Sequence, residues 1–300
     1  MKIAVTTSSF GKFSSEPLEL LRRHGLKVVL NPYGRTLQPA EIGEMLAGCT
    51  GVIAGTEKYT ADILAELPEL RVISRCGTGM DSIDLNAARG SGILVKNTPD
   101  APTEAVAELV LGLAFDLARG ISRQDRAVRA GKWQKQMGGL VSALNVGIVG
   151  MGRIGRSVEA KFRALGAVCA YSDPFVPDGP CRRMELEELL AWADLLTLHV
   201  PGGDKPLLGQ KELQLLKEGA FIINCSRGGV VDEPALYECL TTGSLGAAAL
   251  DVFEQEPYFG PLSKLDNVIL TPHIGSYARQ ARVAMEQAAA VNLLEALEID

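Results

Sequence analysis

The sequence holds no apolar run near the ~18 residues that would argue a membrane span. It has no excess of base either: 30 Lys and Arg are interspersed with 36 Asp and Glu, for a net charge of −6. Without a basic face to neutralise phosphates, nucleic acid is not an expected partner, and neither is a membrane. The N-terminus, Met1-Lys2-Ile3-Ala4-Val5-Thr6, opens directly as a strand and lacks the architecture of a secretory leader, so a cytoplasmic location is expected. The six cysteines (Cys49, Cys76, Cys169, Cys181, Cys225, Cys239) are widely spaced and form no C-x-x-C, which reads as reduced packing residues rather than disulfides. The three histidines show no metal-ligand spacing, and no metal is expected. Internal repeats and low-complexity segments are absent. What remains is a globular composition in 300 residues, enough for one large or two medium domains.

The most informative segment is Gly150-Met151-Gly152-Arg153-Ile154-Gly155. It follows an apolar run, Asn145–Val149, and precedes a helical pattern. The next apolar run, Val168–Ser172, is closed by Asp173, an acid about 20 residues after the glycines. This is a dinucleotide fingerprint in strand–turn–helix–strand context. The first Gly makes a tight turn, the second lets backbone approach a pyrophosphate, and the third lets helix pack on strand. The helix N-terminus supplies N–H donors and positive dipole to the phosphates. A carboxylate at Asp173 can accept both ribose hydroxyls and would repel a 2′-phosphate. Pro174-Phe175-Val176-Pro177 offers no base in compensation, so NAD is expected over NADP.

Strand and helix patterns alternate twice along the chain. Lys2–Thr6, Lys27–Asn31, Gly51–Gly55, Arg71–Ser74 and Ile93–Lys96 read as buried strands separated by amphipathic stretches. A second set of strands starts at Asn145 and runs through Val168–Ser172, Leu195–His199, Phe221–Asn224, Ala247–Asp251 and Val268–Thr271. The fold expected is α/β, with two doubly wound parallel-sheet domains. Between them, two prolines in Asn97-Thr98-Pro99-Asp100-Ala101-Pro102 break the pattern. One long helix is expected from about Thr103 to Ala130, with an apolar stripe too wide for a single neighbour. The tail from Tyr277 to about Leu297 reads as one amphipathic helix that returns to the first domain. The expected boundaries are therefore 1–98 with 278–300 for the first domain and 99–277 for the second.

Ligands of a parallel sheet bind beyond the carboxyl ends of its strands. Three polar residues lie there in the second set: Arg227, Glu256 and His273. Singly, Arg227 suits a surface ion pair, Glu256 an acidic loop and His273 an edge histidine. Together, beside a dinucleotide fingerprint, they meet the needs of one redox reaction.

The stretches Arg75-Cys76-Gly77-Thr78-Gly79-Met80-Asp81, Asn97-Thr98-Pro99, Thr103-Glu104-Ala105-Val106-Ala107-Glu108, the Gly150 fingerprint, Leu198-His199-Val200-Pro201, Cys225-Ser226-Arg227-Gly228-Gly229, Asp251-Val252-Phe253-Glu254-Gln255-Glu256-Pro257 and Thr271-Pro272-His273-Ile274-Gly275 occur in this order. On them, essentially the whole chain resembles the D-isomer-specific 2-hydroxyacid dehydrogenases. The resemblance implies a flavodoxin-like substrate domain and a Rossmann NAD-binding domain that close on a small 2-hydroxy or 2-oxo acid. It implies reversible hydride transfer between C2 of that acid and NAD. His273 would be the acid/base, Glu256 would orient its ring and raise its pKa, and Arg227 would grip the substrate carboxylate. Gly150, Gly152, Arg153, Ile154 and Gly155 would meet the pyrophosphate, and Asp173 the adenosine ribose. Thr103 would lie near the nicotinamide end and Asp251 would bind the carboxamide, with Cys225 and Gly275 also among the cofactor contacts. His199 and Pro201 would line the adenosine half, although His199 suits a structural role equally. Arg75, Gly77, Thr78 and Gly79 would bind substrate, the glycines through free backbone N–H groups. The family usually dimerises through the Thr103–Ala130 helix and the loop holding Trp133, so a homodimer is expected.

The resemblance leans toward 3-phosphoglycerate dehydrogenases of short form, where Arg75 and Lys58 would place positive charge near a substrate phosphate. As solvated surface cations they would serve equally well. Glyoxylate and hydroxypyruvate reductases are the alternative within the family. An NAD-gated, corepressor-like binding protein is the alternative of another class, disfavoured by the intact trio. A formate dehydrogenase is disfavoured further, because that relative carries Gln where Glu256 stands.

Overall fold

The computed structural model describes residues 1–299. The chain divides into two compact units, Met1–Pro102 with the segment from Ser276 onward, and Thr103–Gly275. The first crossing falls after Pro102 rather than after residue 98. Thr98 donates its N–H to the Gly77 carbonyl at 3.1 Å, and Ala101 packs into the core of the first unit.

The first unit is a five-stranded parallel sheet in which strands alternate with helices. These elements are β1 (Lys2–Val5), α1 (Glu16–Arg23), β2 (Lys27–Leu30), α2 (Pro39–Leu46), β3 (Gly51–Ala54), α3 (Ala61–Ala65), β4 (Val72–Arg75), α4 (Leu85–Gly90) and β5 (Leu94–Asn97). The strand order is β2-β1-β3-β4-β5, so the chain reverses direction across the sheet between β1 and β3. Burial explains the composition: β3 is buried at all four positions and carries only Gly, Val, Ile and Ala. Helix starts follow their caps. The Thr60 hydroxyl accepts from the Ile63 N–H and Asp84 from the Ala87 N–H, while Pro17 and Pro39 sit in first turns where no N–H is needed.

The second unit begins with α5 (Thr103–Arg119) and α6 (Ile121–Arg129). The sequence pattern suggested one helix here; the structure breaks it at Gly120, which is left-handed at φ 59°. The Asp116 carboxylate holds the bend by accepting from the Ser122 N–H at 2.8 Å and from the Ser122 hydroxyl. There follow β6 (Asn145–Val149), α7 (Arg153–Ala164), β7 (Val168–Ser172), β8 (Arg182–Arg183), α8 (Leu186–Trp192), β9 (Leu195–Leu198), α9 (Gln210–Leu213), β10 (Ala220–Asn224), α10 (Glu233–Thr242), β11 (Leu245–Leu250) and β12 (Val268–Leu270). They form a parallel sheet in the order β12-β11-β10-β9-β6-β7-β8, with the reversal between β6 and β9. Helix α5 packs along α7, where Glu104 takes Lys161 and the Ser157 hydroxyl, each at 2.7 Å.

The last helix, α11 (Arg279–Ala296), packs on β3, β4 and β5 of the first unit. It buries an ion pair, Arg282 with Glu286 at 3.2 Å, the two side chains being 9% and 0% exposed. Glu286 also accepts from the Gly11 N–H at 2.9 Å and from the Ser9 hydroxyl, and Arg282 donates to Ser9 at 2.8 Å. Burial pushes the Glu286 carboxyl above its ordinary value, against these donors. This network ties the loop after β1 to α11. Glu286→Ala strands the Arg282 guanidinium in the core, and breaking a buried pair from one side typically costs about 3–5 kcal/mol. Urea unfolding of the full chain should show a loss of that order, and a loss under ~1 kcal/mol would mean the guanidinium finds another partner.

Candidate active site

Every strand of the second unit points its carboxyl end the same way, so the loops that follow them share one rim. After β6, Gly150 turns at φ 93°, a conformation that side chains rarely adopt. A Cβ there would also lie 2.4 Å from the His199 carbonyl. Gly155, in the first turn of α7, has no room for one: its Cβ would stand 2.1 Å from the Gly150 carbonyl. Around Gly152 nothing lies within 4 Å of a built Cβ, which leaves open space over the helix N-terminus. Asp173, after β7, closes back on this turn. Its Oδ2 accepts the Met151 N–H at 2.7 Å and its Oδ1 the Phe175 N–H at 2.8 Å. The carboxylate is thereby fixed beside the turn. Arg183, on the edge strand β8, donates to the Asp173 carbonyl at 3.4 Å and lies 3.8 Å from Glu185. Reading along the sequence did not bring this base to Asp173, because only strand pairing does.

His199, after β9, sits in the same rim. Its Nε2 lies 3.0 Å from the Thr197 hydroxyl. Its Nδ1 is buried and without a hydrogen-bond partner among the described residues. Burial holds the ring's pKa down to about 3, so it is neutral at ordinary pH. An orphaned polar atom beside a glycine turn that excludes side chains, with a carboxylate fixed across it, suits a dinucleotide.

On the other half of the rim, His273 Nδ1 lies 2.8 Å from Glu256 Oε2, and Glu256 Oε1 accepts the Phe253 N–H at 3.2 Å. Glu256 is thus held from behind while it holds the imidazole. The Glu256 hydrogen bond raises the His273 pKa above its ordinary value, against burial and the charge of Arg227. Burial lifts the Glu256 carboxyl, but His273, the Phe253 N–H and Arg227 outweigh it and leave the group below its usual range. Arg227 therefore shares one electrostatic environment with both. Its Nη1 donates to the Ser226 carbonyl at 2.7 Å, and Asn224 Nδ2 donates to the Arg227 carbonyl at 2.9 Å. The loop after β10 is pressed onto that after β11: a Cβ on Gly228 would meet the Phe253 carbonyl at 1.9 Å. Phe253 and Tyr258 stack with centroids 4.4 Å apart beneath the Glu256 turn.

His273 has φ 54°, a left-handed backbone that is unfavourable for a side chain by roughly 1–2 kcal/mol. Asp251 supplies the restraint. It is 1% exposed and accepts from the Thr271 hydroxyl at 2.6 Å, the Ile274 N–H at 2.8 Å and the Gly275 N–H at 2.7 Å. Both oxygens of Asp251, the residue expected from the resemblance to meet a carboxamide, accept from the histidine loop. Gly275 is buried against it and against Val106. Cys225 is buried too, and burial, then Asp251, push its thiol well up.

In the first unit, the loop after β4 differs in part from its expectation. The Gly77 N–H is not free: it donates to the Thr98 hydroxyl at 2.8 Å and to the Arg75 carbonyl at 3.0 Å. The Thr78 and Gly79 N–H groups have no partner among the described residues. Arg75 folds along its own loop, with Nη1 donating to the Cys76 carbonyl. Lys58 is exposed.

Residues 111–275 match the family described as D-isomer specific 2-hydroxyacid dehydrogenase, NAD binding domain. The chain is 41% identical over 244 residues to the D-3-phosphoglycerate dehydrogenase of Methanocaldococcus jannaschii, covering 78% of this chain and 47% of that protein. It is 38% identical over 247 residues to the hydroxypyruvate reductase of Thermotoga maritima, covering 78% of this chain and 81% of that one. The chain spans about half the length of the phosphoglycerate dehydrogenases it matches. The TT0316 protein of Thermus thermophilus, a solved structure, superposes with a TM-score of 0.93 at 37% identity, over 99% of this chain and 97% of that one. With its two parallel-sheet units and its NAD-binding half, this chain belongs to the D-isomer specific 2-hydroxyacid dehydrogenase family.

Proposed function

We propose that the protein is an NAD-dependent oxidoreductase that interconverts a D-2-hydroxy acid and its 2-oxo acid. The observation that carries this reading is the 2.8 Å pair of His273 and Glu256, with Arg227 acting on both. The Gly150 turn, the α7 N-terminus and Asp173 would hold NAD, which would supply the hydride acceptor. His273 Nε2, opposite the nitrogen bound to Glu256, takes the C2 hydroxyl proton in oxidation and returns it in reduction. Glu256 orients the ring and stabilises the imidazolium. Arg227 offers a planar fork to the substrate carboxylate.

Two substrate readings stand within this reaction. The 3-phosphoglycerate pair would use Lys58 and Arg75 as cations, and relatives of that name support it. Hydroxypyruvate or glyoxylate is supported by relatives named as their reductases. A homodimer is supported by apolar side chains presented by α6 and the following loop: Ile121, Val128, Trp133, Met137 and Leu140, with Trp133 82% and Met137 99% exposed.

NADH oxidation across 3-phosphohydroxypyruvate, hydroxypyruvate, glyoxylate and pyruvate tests the reaction. His273→Ala should lower turnover at least ~100-fold with NADH affinity nearly intact, since acid–base assistance contributes about 10²–10⁴-fold; unchanged turnover removes the residue from the mechanism. Reduction needs protonated His273, so its rate should fall as pH rises through a pKa above 6.5, and oxidation should rise over the same window. Glu256→Gln withdraws the main cause of that rise and should move both inflections to lower pH. Asp173→Ala should weaken NAD and narrow the margin over NADP, read by fluorescence titration of the reduced cofactors. Sedimentation at micromolar concentration should give a dimer, and Trp133→Ala with Met137→Asp should shift it toward monomer.

A further inference from the structure

All six cysteines are free thiols; four are buried, and only Cys169 and Cys181 are partly exposed. Strand pairing brings these two together. β7 and β8 run parallel, with Ala170 registered on Arg182 and Tyr171 on Arg183. One residue back, the same register sets Cys169 opposite Cys181. Side chains alternate between the faces of a sheet, so two residues in register share a face. Both thiols pack against the apolar cluster that holds Val158 and Phe162 of α7. Neighbouring strands lie about 4.8 Å apart, inside the roughly 4.4–6.8 Å between Cα atoms that a disulfide spans. β8 is two residues long at the edge of its sheet, where the small shift that closes a bond meets little resistance.

Helix α7 turns a charge toward this pair. Glu159 is 1% exposed, and neither of its oxygens receives a hydrogen bond among the described residues. Arg163, one turn on and 66% exposed, reaches back to it at 3.0 Å. A carboxylate buried without hydrogen bonds is costly, and packing alone does not call for one. Its charge acts on both thiols. Burial first, then Cys181 and Glu159, push the Cys169 thiol up to about 12, against Arg163. Burial and Glu159 push the Cys181 thiol up to about 11, again against Arg163. The bases of β8 are committed elsewhere, Arg182 to Glu188 at 2.6 Å and Arg183 to the Asp173 carbonyl and Glu185.

We propose that Cys169 and Cys181 are a redox pair that a peroxide closes into a disulfide, stapling β8 to β7 across the loop that begins with Asp173. The pair stands near the amino end of β7, away from the rim that Asp173 joins, so its chemistry is separate from hydride transfer. Cys181, as thiolate, attacks one peroxide oxygen. The O–O bond breaks, the other oxygen leaves as hydroxide and takes up the thiol proton as water, and Cys181 is left as a sulfenic acid. Cys169 attacks that sulfur; the S–O bond breaks, the S–S bond forms, and the second hydroxide leaves as water with the Cys169 proton. Two thiols lose two electrons, and one peroxide becomes two waters. A short edge strand opens locally at low cost, and a covalent link across its loop removes that opening.

Hydrogen peroxide on the full chain, followed by alkylation and tryptic mass mapping, tests the pair. Both cysteines fall in one peptide, Ala164–Arg182. That peptide should run two hydrogens lighter, refuse the label, and take it on both cysteines after dithiothreitol. The buried Cys49, Cys76, Cys225 and Cys239 should stay thiols. Closure should quicken as pH rises, because the thiolate is the nucleophile. Glu159→Gln withdraws negative charge from both thiols and should speed closure several-fold at fixed pH. The oxidised chain should melt several degrees above the reduced one and resist limited proteolysis in the loop from Pro174 to Pro180, and Cys181→Ser should abolish both differences. A peptide that stays open to the label, that gains oxygen without losing hydrogens, or that is bonded to a second chain would overturn the pair. Equal melting and cleavage of the two forms would overturn the staple. An unchanged or slower rate in Glu159→Gln would remove the carboxylate from control of the thiols.

Discussion

The NAD-binding half of this protein depends on one buried carboxylate. Asp251 follows β11 at 1% exposure and gathers three donors from the loop bearing His273. That loop holds its histidine in a left-handed backbone that an unrestrained chain would leave. Each of those hydrogen bonds is made to a charged acceptor away from water, where such bonds are strongest. The restraint fixes where the imidazole stands, and Glu256 then fixes how it turns. Position and orientation are thus set by two different acids, one sealed in the core and one partly wet. The wet one tunes the ring's proton affinity.

The same division appears at the other end of the rim. The Gly150–Gly155 contact closes the turn sterically, and Asp173 then ties the turn to the neighbouring strand by two N–H bonds. Steric exclusion by backbone is rigid and indifferent to charge. The carboxylate adds a negative charge beside the turn. In the first unit, Glu286 and Arg282 hold the loop after β1 from one side, while Glu57 stands on the other.

Much of this was legible from sequence because parallel strands write their own signature. Runs such as Val-Ile-Ala in β3 are buried on both faces, and the residues after each run fall on the ligand rim by topology alone. Arg227, Glu256 and His273 could be singled out on that ground before any distance was known. What stayed hidden depends on who meets whom. Nothing local tells that Asp251 faces the backbone of Ile274 and Gly275, or that Thr98 reaches the Gly77 N–H. Gly120 reads as a tolerated helix glycine until Asp116 is seen to stop the helix there. Glu57 looks like one more acid beside an exposed lysine. Only the fold shows it turned inward onto Tyr59 and onto Thr6, which lies 51 residues away in the chain.

The two-residue strand β8 has a further effect on how the molecule meets copies of itself. It closes one edge of the seven-stranded sheet with Arg182 and Arg183, both exposed, the first paired to Glu188 at 2.6 Å. An open edge is a template for another chain, and short strands bearing long charged side chains discourage that addition. At the opposite edge β12 offers only three residues before Pro272 removes the next donor. Both borders of this sheet are therefore too short, and one too charged, to serve readily as a template for a further strand.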